Sequence, residues 1–318
     1  MFPNFGNVYD KVKLWSAINP TTPNISQFLS NVKEQIDHET GETSFFGSIN
    51  GLKISVYPNR LSIIGSLSKV LYPNNIYSLD RKSTAKAIEK LSDLLHVDMK
   101  EAKVTEFEFG TQFIMQYPIE CYLSKLGEMP KLIRYCFNKN TLYYQTRGKQ
   151  SNKTFIFYDK KADAITKKML LPAGFEKVNL LKYEMRLKGR LSKQLGVPEV
   201  KALTLYDNTF YKRLMDMYKN SYFSISKKQD SYNPDLSCIT TVSDAFKIFI
   251  ARCINQQETG LISDFIAELK ANDTFKDRKN YSRLKKKLGE LTCKITTDKK
   301  NKYIQELDDA IINISTFV

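Results

Sequence analysis

Three segments of this chain alternate with period two between apolar and polar side chains, and this limits the fold more than any other feature. In 104–113, Phe107, Phe109 and Phe113 share one phase, while Glu106, Glu108 and Gln112 share the other. In 181–188, Leu181, Tyr183, Met185 and Leu187 oppose Lys182, Glu184, Arg186 and Lys188. In 154–158, Phe155 and Phe157 oppose Thr154, Ile156 and Tyr158. Neighbouring side chains on a strand point to opposite faces, so each segment has a core side and a polar side. The simplest assembly is an antiparallel sheet with helices packed on the apolar face and the polar face open to solvent. The expected class is α+β.

The rest of the first two thirds fits that frame. "NVYDKVKLW" (7–15) reads as a first strand, and "GLKISVY" and "RLSIIGS" flank a "PN" turn as a hairpin. Residues 78–95 carry Leu79, Ala85, Ile88, Leu91, Leu94 and Leu95 at helical spacing behind a capping Ser or Asp. Residues 118–138 have little pattern and are read as helical. Segments 141–147 and 152–160 form another hairpin, with a helix following through Lys168. A last strand spans 179–189, and a short helix ends at Gly196. Beyond Glu199 the apolar positions recur with helical period only. Two units are therefore expected, 1–197 and a helical region, 198–318. The stretch 224–237 is the best candidate for a mobile loop.

The formal charge of +15 is unevenly placed. Residues 1–117 hold 12 Lys/Arg and 12 Asp/Glu; residues 118–197 hold 17 against 6. Most of the excess surrounds Tyr158, and a concentrated basic stretch points to a nucleic-acid backbone rather than to solubility alone. Solvated lysines on sheet edges are the plainer explanation. No apolar stretch approaches the ~20 residues of a membrane span, and the start lacks the layout of a signal peptide. The five cysteines are scattered with no C-x-x-C pair, which suits reduced thiols in a cytoplasm and speaks against zinc. "GKQSNKT" lacks the glycine spacing of a phosphate loop, and His38 and His96 belong to no metal motif.

On the polar face, Glu106, Glu108 and Glu184 can converge with Tyr158. Carboxylates suit Mg²⁺ or Mn²⁺, hard cations that take oxygen ligands. Such an ion polarises a scissile phosphate, and a tyrosine hydroxyl can attack it to give a covalent phosphotyrosine. A phenol with a pKa near ~10 needs positive charge nearby, which Lys153, Lys160 and Lys161 are placed to supply. Lys182, Arg186 and Lys188 join them as expected DNA contacts. The plain alternatives are solvent-facing acids and a packed strand aromatic.

Four stretches, in order, resemble the gene II/gene X family of filamentous-phage and plasmid replication initiators. They are "SLSKVLYPNNIYSLD" with its helix, "VTEFEFGTQF", "NKTFIFYDKKAD" and "LLKYEMRLKGRLSKQLGVP", within residues 45–198. Members of that family nick one strand of origin DNA through a tyrosine, stay attached to the 5′ phosphate and leave a 3′ hydroxyl for rolling-circle synthesis. The resemblance implies a fold like that of the HUH nickases and their Rep relatives, with a ferredoxin- or RRM-like sheet. It also implies Tyr158 as nucleophile and Glu108 and Glu184 as acids of the central and final strands. Relatives commonly have aspartate at the position of Glu108, and the paired histidines of HUH enzymes are missing here. Glu106 comes from strand phase alone. The implied partners are origin DNA, duplex and single-stranded, with a host helicase and polymerase.

Two other readings stand beside this one. A non-catalytic RRM-like module would grip single strands through aromatics on its open face, yet the phenylalanines at 107, 109, 155 and 157 have core phase. A partner-binding protein with an incidental basic stretch is the third.

Overall fold

The computed structural model describes residues 8–19, 22–77, 79–146, 152–171, 174–227, 239–256, 261–293 and 301–314. The stretch 224–237 lies mostly outside them, as do residues 147–151. In chain order the strands are β1 (Val8–Ala17), β2 (Ser30–Ile36), β3 (Thr43–Ile49), β4 (Leu52–Tyr57), β5 (Arg60–Ser66), β6 (Lys103–Met115), β7 (Ile133–Asn138), β8 (Thr141–Gln145), β9 (Lys153–Asp159) and β10 (Asn179–Lys188). The α-helices are α1 (Ser68–Leu71), α2 (Arg81–Leu95), α3 (Ile119–Leu123), α4 (Lys160–Thr166), α5 (Leu191–Leu195), α6 (Asn208–Phe223), α7 (Val242–Gln256), α8 (Leu261–Ala271), α9 (Lys279–Cys293) and α10 (Lys302–Ile312). The class is α+β, and no helix among the described residues is long and apolar enough to cross a membrane.

All ten strands form one antiparallel sheet in the order β2-β3-β4-β5-β1-β6-β10-β9-β8-β7. The first strand of the chain thus lies near the middle, between β5 and β6. Phe107, Phe109, Phe155, Phe157 and Tyr183 are fully buried on one face. Tyr183 stacks between Phe157 and Tyr218 of α6, each ring centroid 4.2 Å away. Such aromatic stacks add roughly 0.5–1.5 kcal/mol each beyond area burial.

Helices cover that face for legible reasons. In α2, Thr84, Ala87, Ile88, Leu91 and Leu95 are buried, the i, i+3, i+4, i+7 stripe of an amphipathic helix. Asp80 caps its start through the Ser83 N–H, and His96, at φ 52°, ends it. Helix α6 buries Phe210, Tyr211, Leu214, Met215, Tyr218 and Tyr222. Helix α10 adds Ile304, Leu307 and Ile311 to the same core. The core therefore runs across position 198, where the sequence pattern changes. Helices α8 and α9 keep a small cluster of their own around Ile262, Ile266 and Tyr281.

Two expectations need correction. The stretch 118–138 contains a single helical turn and then an edge strand, β7, not a helix. The polar face of the sheet is not open either. Ile76, Ala164 of α4, Phe175 and Leu180 bury one another over it, and Gln112 donates to the Ile76 carbonyl at 3.1 Å.

Candidate functional site

Register brings the polar side chains together. Between β10 and β6, Arg186 stands opposite Glu108 and Glu184 opposite Gly110. Between β10 and β9, Lys182 stands opposite Tyr158. A side chain at position 110 would put its Cβ 2.3 Å from the Tyr183 carbonyl oxygen and 2.9 Å from the Glu184 Cα. Glycine there lets β6 and β10 close up beside the Glu184 carboxylate.

Asp10, which strand phase does not select, completes the acids. Simple alternation along β1 would group it with Val12 and Leu14, both fully buried in the core. The pairing of β1 with β6 shifts register between Tyr9 and Val12, an extra residue on β1 that reverses the phase locally. Tyr9 and Val12 therefore both reach the core, and Asp10 lies with Glu108 and Glu184. One carboxylate oxygen from each of these three acids lies within 4.8 Å of the others. Glu106 shares the strand face but is held by Lys11 at 3.2 Å and Lys188 at 3.4 Å. The third acid of the cluster is Asp10 rather than Glu106.

A continuous hydrogen-bonded chain links the groups. Lys182 Nζ reaches Asp10 Oδ2 at 2.6 Å and Glu184 Oε1 at 2.9 Å. Arg186 bridges Glu184 Oε2 at 2.9 Å and Glu108 Oε1 at 3.0 Å. The Tyr158 hydroxyl donates to Glu184 Oε1 at 2.8 Å. Asn75 Nδ2 lies 3.2 and 3.1 Å from the two Asp10 oxygens, and its Oδ1 accepts from Lys160 Nζ at 3.4 Å. Asn75 stands inside "YPNNIY", but nothing in its spacing marks it. Asp10 and Asn75 are the members that sequence reasoning missed.

The expected cations divide. Lys182, only 1% exposed, is closed off among carboxylates, and Arg186, about a third exposed, also holds carboxylates. Lys160 is buried beside the site, 6.0 Å from the Tyr158 ring centroid, and pairs with Asp163. Lys161 donates to the Glu176 carbonyl. Lys153 has the phase of Phe155, with its ammonium 5.1 Å over that ring. Tyr144 is buried in the core with its hydroxyl on the Gly127 carbonyl, whereas Tyr143, opposite Ile156, shares the face of Tyr158.

Burial sets the proton affinities. Desolvation and the Glu184 carboxylate raise the Tyr158 phenol well above its ordinary value, against a smaller opposing pull from Lys182. The lysines thus do not make a standing phenolate. Burial, then Glu184, push Glu108 up to about 7 despite Arg186. Burial is the largest single influence on Asp10 and Glu184 and would raise both, but the cations together outweigh it: Lys182 and Lys160 at Asp10, Lys182 and Arg186 at Glu184. Both stay ionised far below the usual carboxylate range.

Three carboxylates suit a hard divalent cation, and the Asp10–Glu108–Glu184 cluster can hold one. Lys182 and Arg186 already neutralise much of its charge, so an ion there would compete with the Lys182 ammonium.

No known family model matches the sequence, and no curated protein matches it. Among solved structures, this chain has a weak similarity to a rolling circle replication initiator protein from Geobacillus stearothermophilus. The match covers 80% of this chain and 100% of that one, at TM-score 0.40 and 9% identity, too low to say what this chain does.

Proposed function

We propose that this protein nicks and rejoins one strand of origin DNA as a rolling-circle replication initiator, with Tyr158 as nucleophile. The observation that carries this reading is the Tyr158 hydroxyl hydrogen-bonded to Glu184 Oε1, within a cluster of three acids and next to buried cations. A strand tyrosine needs no such setting to pack.

In this reading the Tyr158 oxygen attacks the scissile phosphorus while Glu184 takes the phenol proton. Proton transfer in step with P–O bond formation avoids a free phenolate, which the desolvated site disfavours. The new bond joins Tyr158 to the 5′ phosphate; the bond to the 3′ oxygen breaks, and that oxygen takes a proton from water as Glu184 returns its own to solvent. The reverse attack by a 3′ hydroxyl rejoins the strand and returns the proton to Tyr158. Lys160 borders the site and offers charge to the phosphate oxygens. A Mg²⁺ or Mn²⁺ ion held by Asp10, Glu108 and Glu184 would supply Lewis-acid polarisation of the phosphate. Residues 1–197 carry this chemistry, in the cytoplasm, and the helices after 198 brace the sheet through α6 and α10. A host helicase and polymerase would extend the freed 3′ end.

The RRM-like binding alternative draws no support from the structure, because Phe107, Phe109, Phe155 and Phe157 are all fully buried and offer no stacking platform. The decisive experiment incubates the protein with supercoiled plasmid carrying its own gene neighbourhood and Mn²⁺. Nicked circles with protein on the 5′ end, mapped to the Tyr158 peptide, are the expected result. Tyr158→Phe should lower nicking at least ~10³-fold, about 4 kcal/mol of barrier, with DNA binding kept. Normal nicking by that variant would refute the assignment.

A further inference from the structure

We infer that the outer face of α9 is a docking surface for the backbone of duplex DNA, separate from the tyrosine–carboxylate site. The choice of DNA as partner rests on the nicking reading; the surface itself rests on how the helix divides its charges. At 100° per residue, Lys279, Ser282, Arg283, Lys286, Lys287 and Glu290 fall on one arc of α9, and all are exposed. Tyr281, Leu284 and Leu288 fall on the opposite arc and pack in the small apolar cluster with Ile262 and Ile266.

The fifth cation of the helix shows what an internal role looks like. Lys285 lies between the arcs and meets Glu128 Oε2 at 3.1 Å and Ser263 Oγ at 3.0 Å; Ser263 also donates to Glu128 at 2.7 Å. That pairing ties this side of α9 to Glu128 and to Ser263 of α8. Among the described residues, no acid outside α9 pairs with the outer cations. Lys286 has only Glu290, at 3.8 Å on the same exposed face. Among the described residues, Lys279, Arg283 and Lys287 have no ion-pair partner.

A rigid row of cations suits a rigid row of phosphates. From Lys279 to Lys287 the helix rises about 12 Å, and a major groove about 12 Å wide admits a helix between two phosphate walls. A flexible single strand or an acidic peptide gains less from such a fixed arc. Helix α9 thus holds the duplex while the sheet acts on one strand of it.

The test compares the full chain carrying Lys279→Gln, Arg283→Gln and Lys287→Gln with a control carrying Lys82→Gln, Lys86→Gln and Lys90→Gln on the exposed side of α2. Both remove three charges. Affinity for a 30-base-pair duplex is read by anisotropy in EDTA, at several salt concentrations. The α9 variant should bind at least about tenfold more weakly, and its slope of log K against log salt should be shallower by up to ~2.7. Equal losses in both variants, or none in either, would overturn the proposal. So would a 30-nucleotide single strand, or polyglutamate, that competes as well as duplex. Should the α9 variant fail to fold, lysine acetylation of the wild type decides: duplex should shield Lys279, Lys286 and Lys287, and unchanged labelling would count against the surface. Cleavage plays no part in EDTA, so an inactive Tyr158 would not change these outcomes, nor would lost duplex binding by the α9 variant revise Tyr158.

Discussion

The two faces of β10 are opposite in kind, one dry throughout and the other dry only at its centre. On one, Leu181, Tyr183, Met185 and Leu187 are fully buried among aromatic rings. On the other, Lys182 and Glu184 are each 1% exposed, with Arg186 beside them. The first face stabilises the fold at roughly 25 cal/mol per Å² of apolar surface. The second does not, because desolvating an ion pair costs about as much as the pairing returns. A site of buried charge inside a sheet with ample core adds little stability, which agrees with the chemical role proposed for it.

The comparison breaks most sharply at Lys182. Lys182→Met leaves Asp10 and Glu184 buried without their shared cation and should cost ~3–5 kcal/mol. Replacing the network together, as Asp10→Leu, Lys182→Met and Glu184→Leu, should recover most of that loss while abolishing nicking. Urea denaturation measures both; a triple variant as unstable as the single one would mean that the charges do hold the fold.

Glu108 gives the next largest effect, through pH. With its carboxyl pushed up to about 7 from an ordinary 4.5, the native state keeps a proton that the unfolded chain has released. Across that window this group's contribution to stability falls as pH rises, by an amount on the order of 1–3 kcal/mol. Melting curves of the metal-free protein should show the decline, and Glu108→Gln should flatten it. Identical pH profiles would place the proton elsewhere in the cluster.

The smallest effect sharpens the choice of acids. Asp10→Asn should weaken Mn²⁺ binding about tenfold, near 1.4 kcal/mol, whereas Glu106→Gln should change it less than about twofold. Direct titration followed by manganese spin resonance separates the two, and equal losses would restore Glu106 to the ion's surroundings.

Much of this was legible from alternation alone. The phases of β6, β9 and β10 put Tyr158, Glu108 and Glu184 on one face, and the structure has all three there. The helix at 81–95 and the hairpin of β4 and β5 were equally plain. What escaped did so for identifiable reasons. Strand β2 is exposed along its whole length and β3 half-buried throughout, so neither alternates. The edge strand β7 is mostly exposed too. Asp10 hid behind the irregular register in β1, since a shift of one residue exchanges the faces. The cover over the polar face, from Ile76, α4 and Phe175, is a tertiary fact with no periodic signature.

The place of β1 has a consequence in time. As the chain leaves the ribosome, Asp10 emerges early, but its neighbours on β6 follow about a hundred residues later and those on β10 later still. Contacts so distant in sequence close slowly and late. A nascent chain halted before residue 179 carries the tyrosine and two of the acids but lacks the strand that pins them together. In the nicking reading, such a chain stays inert until β10 has been made and has paired with β6 and β9.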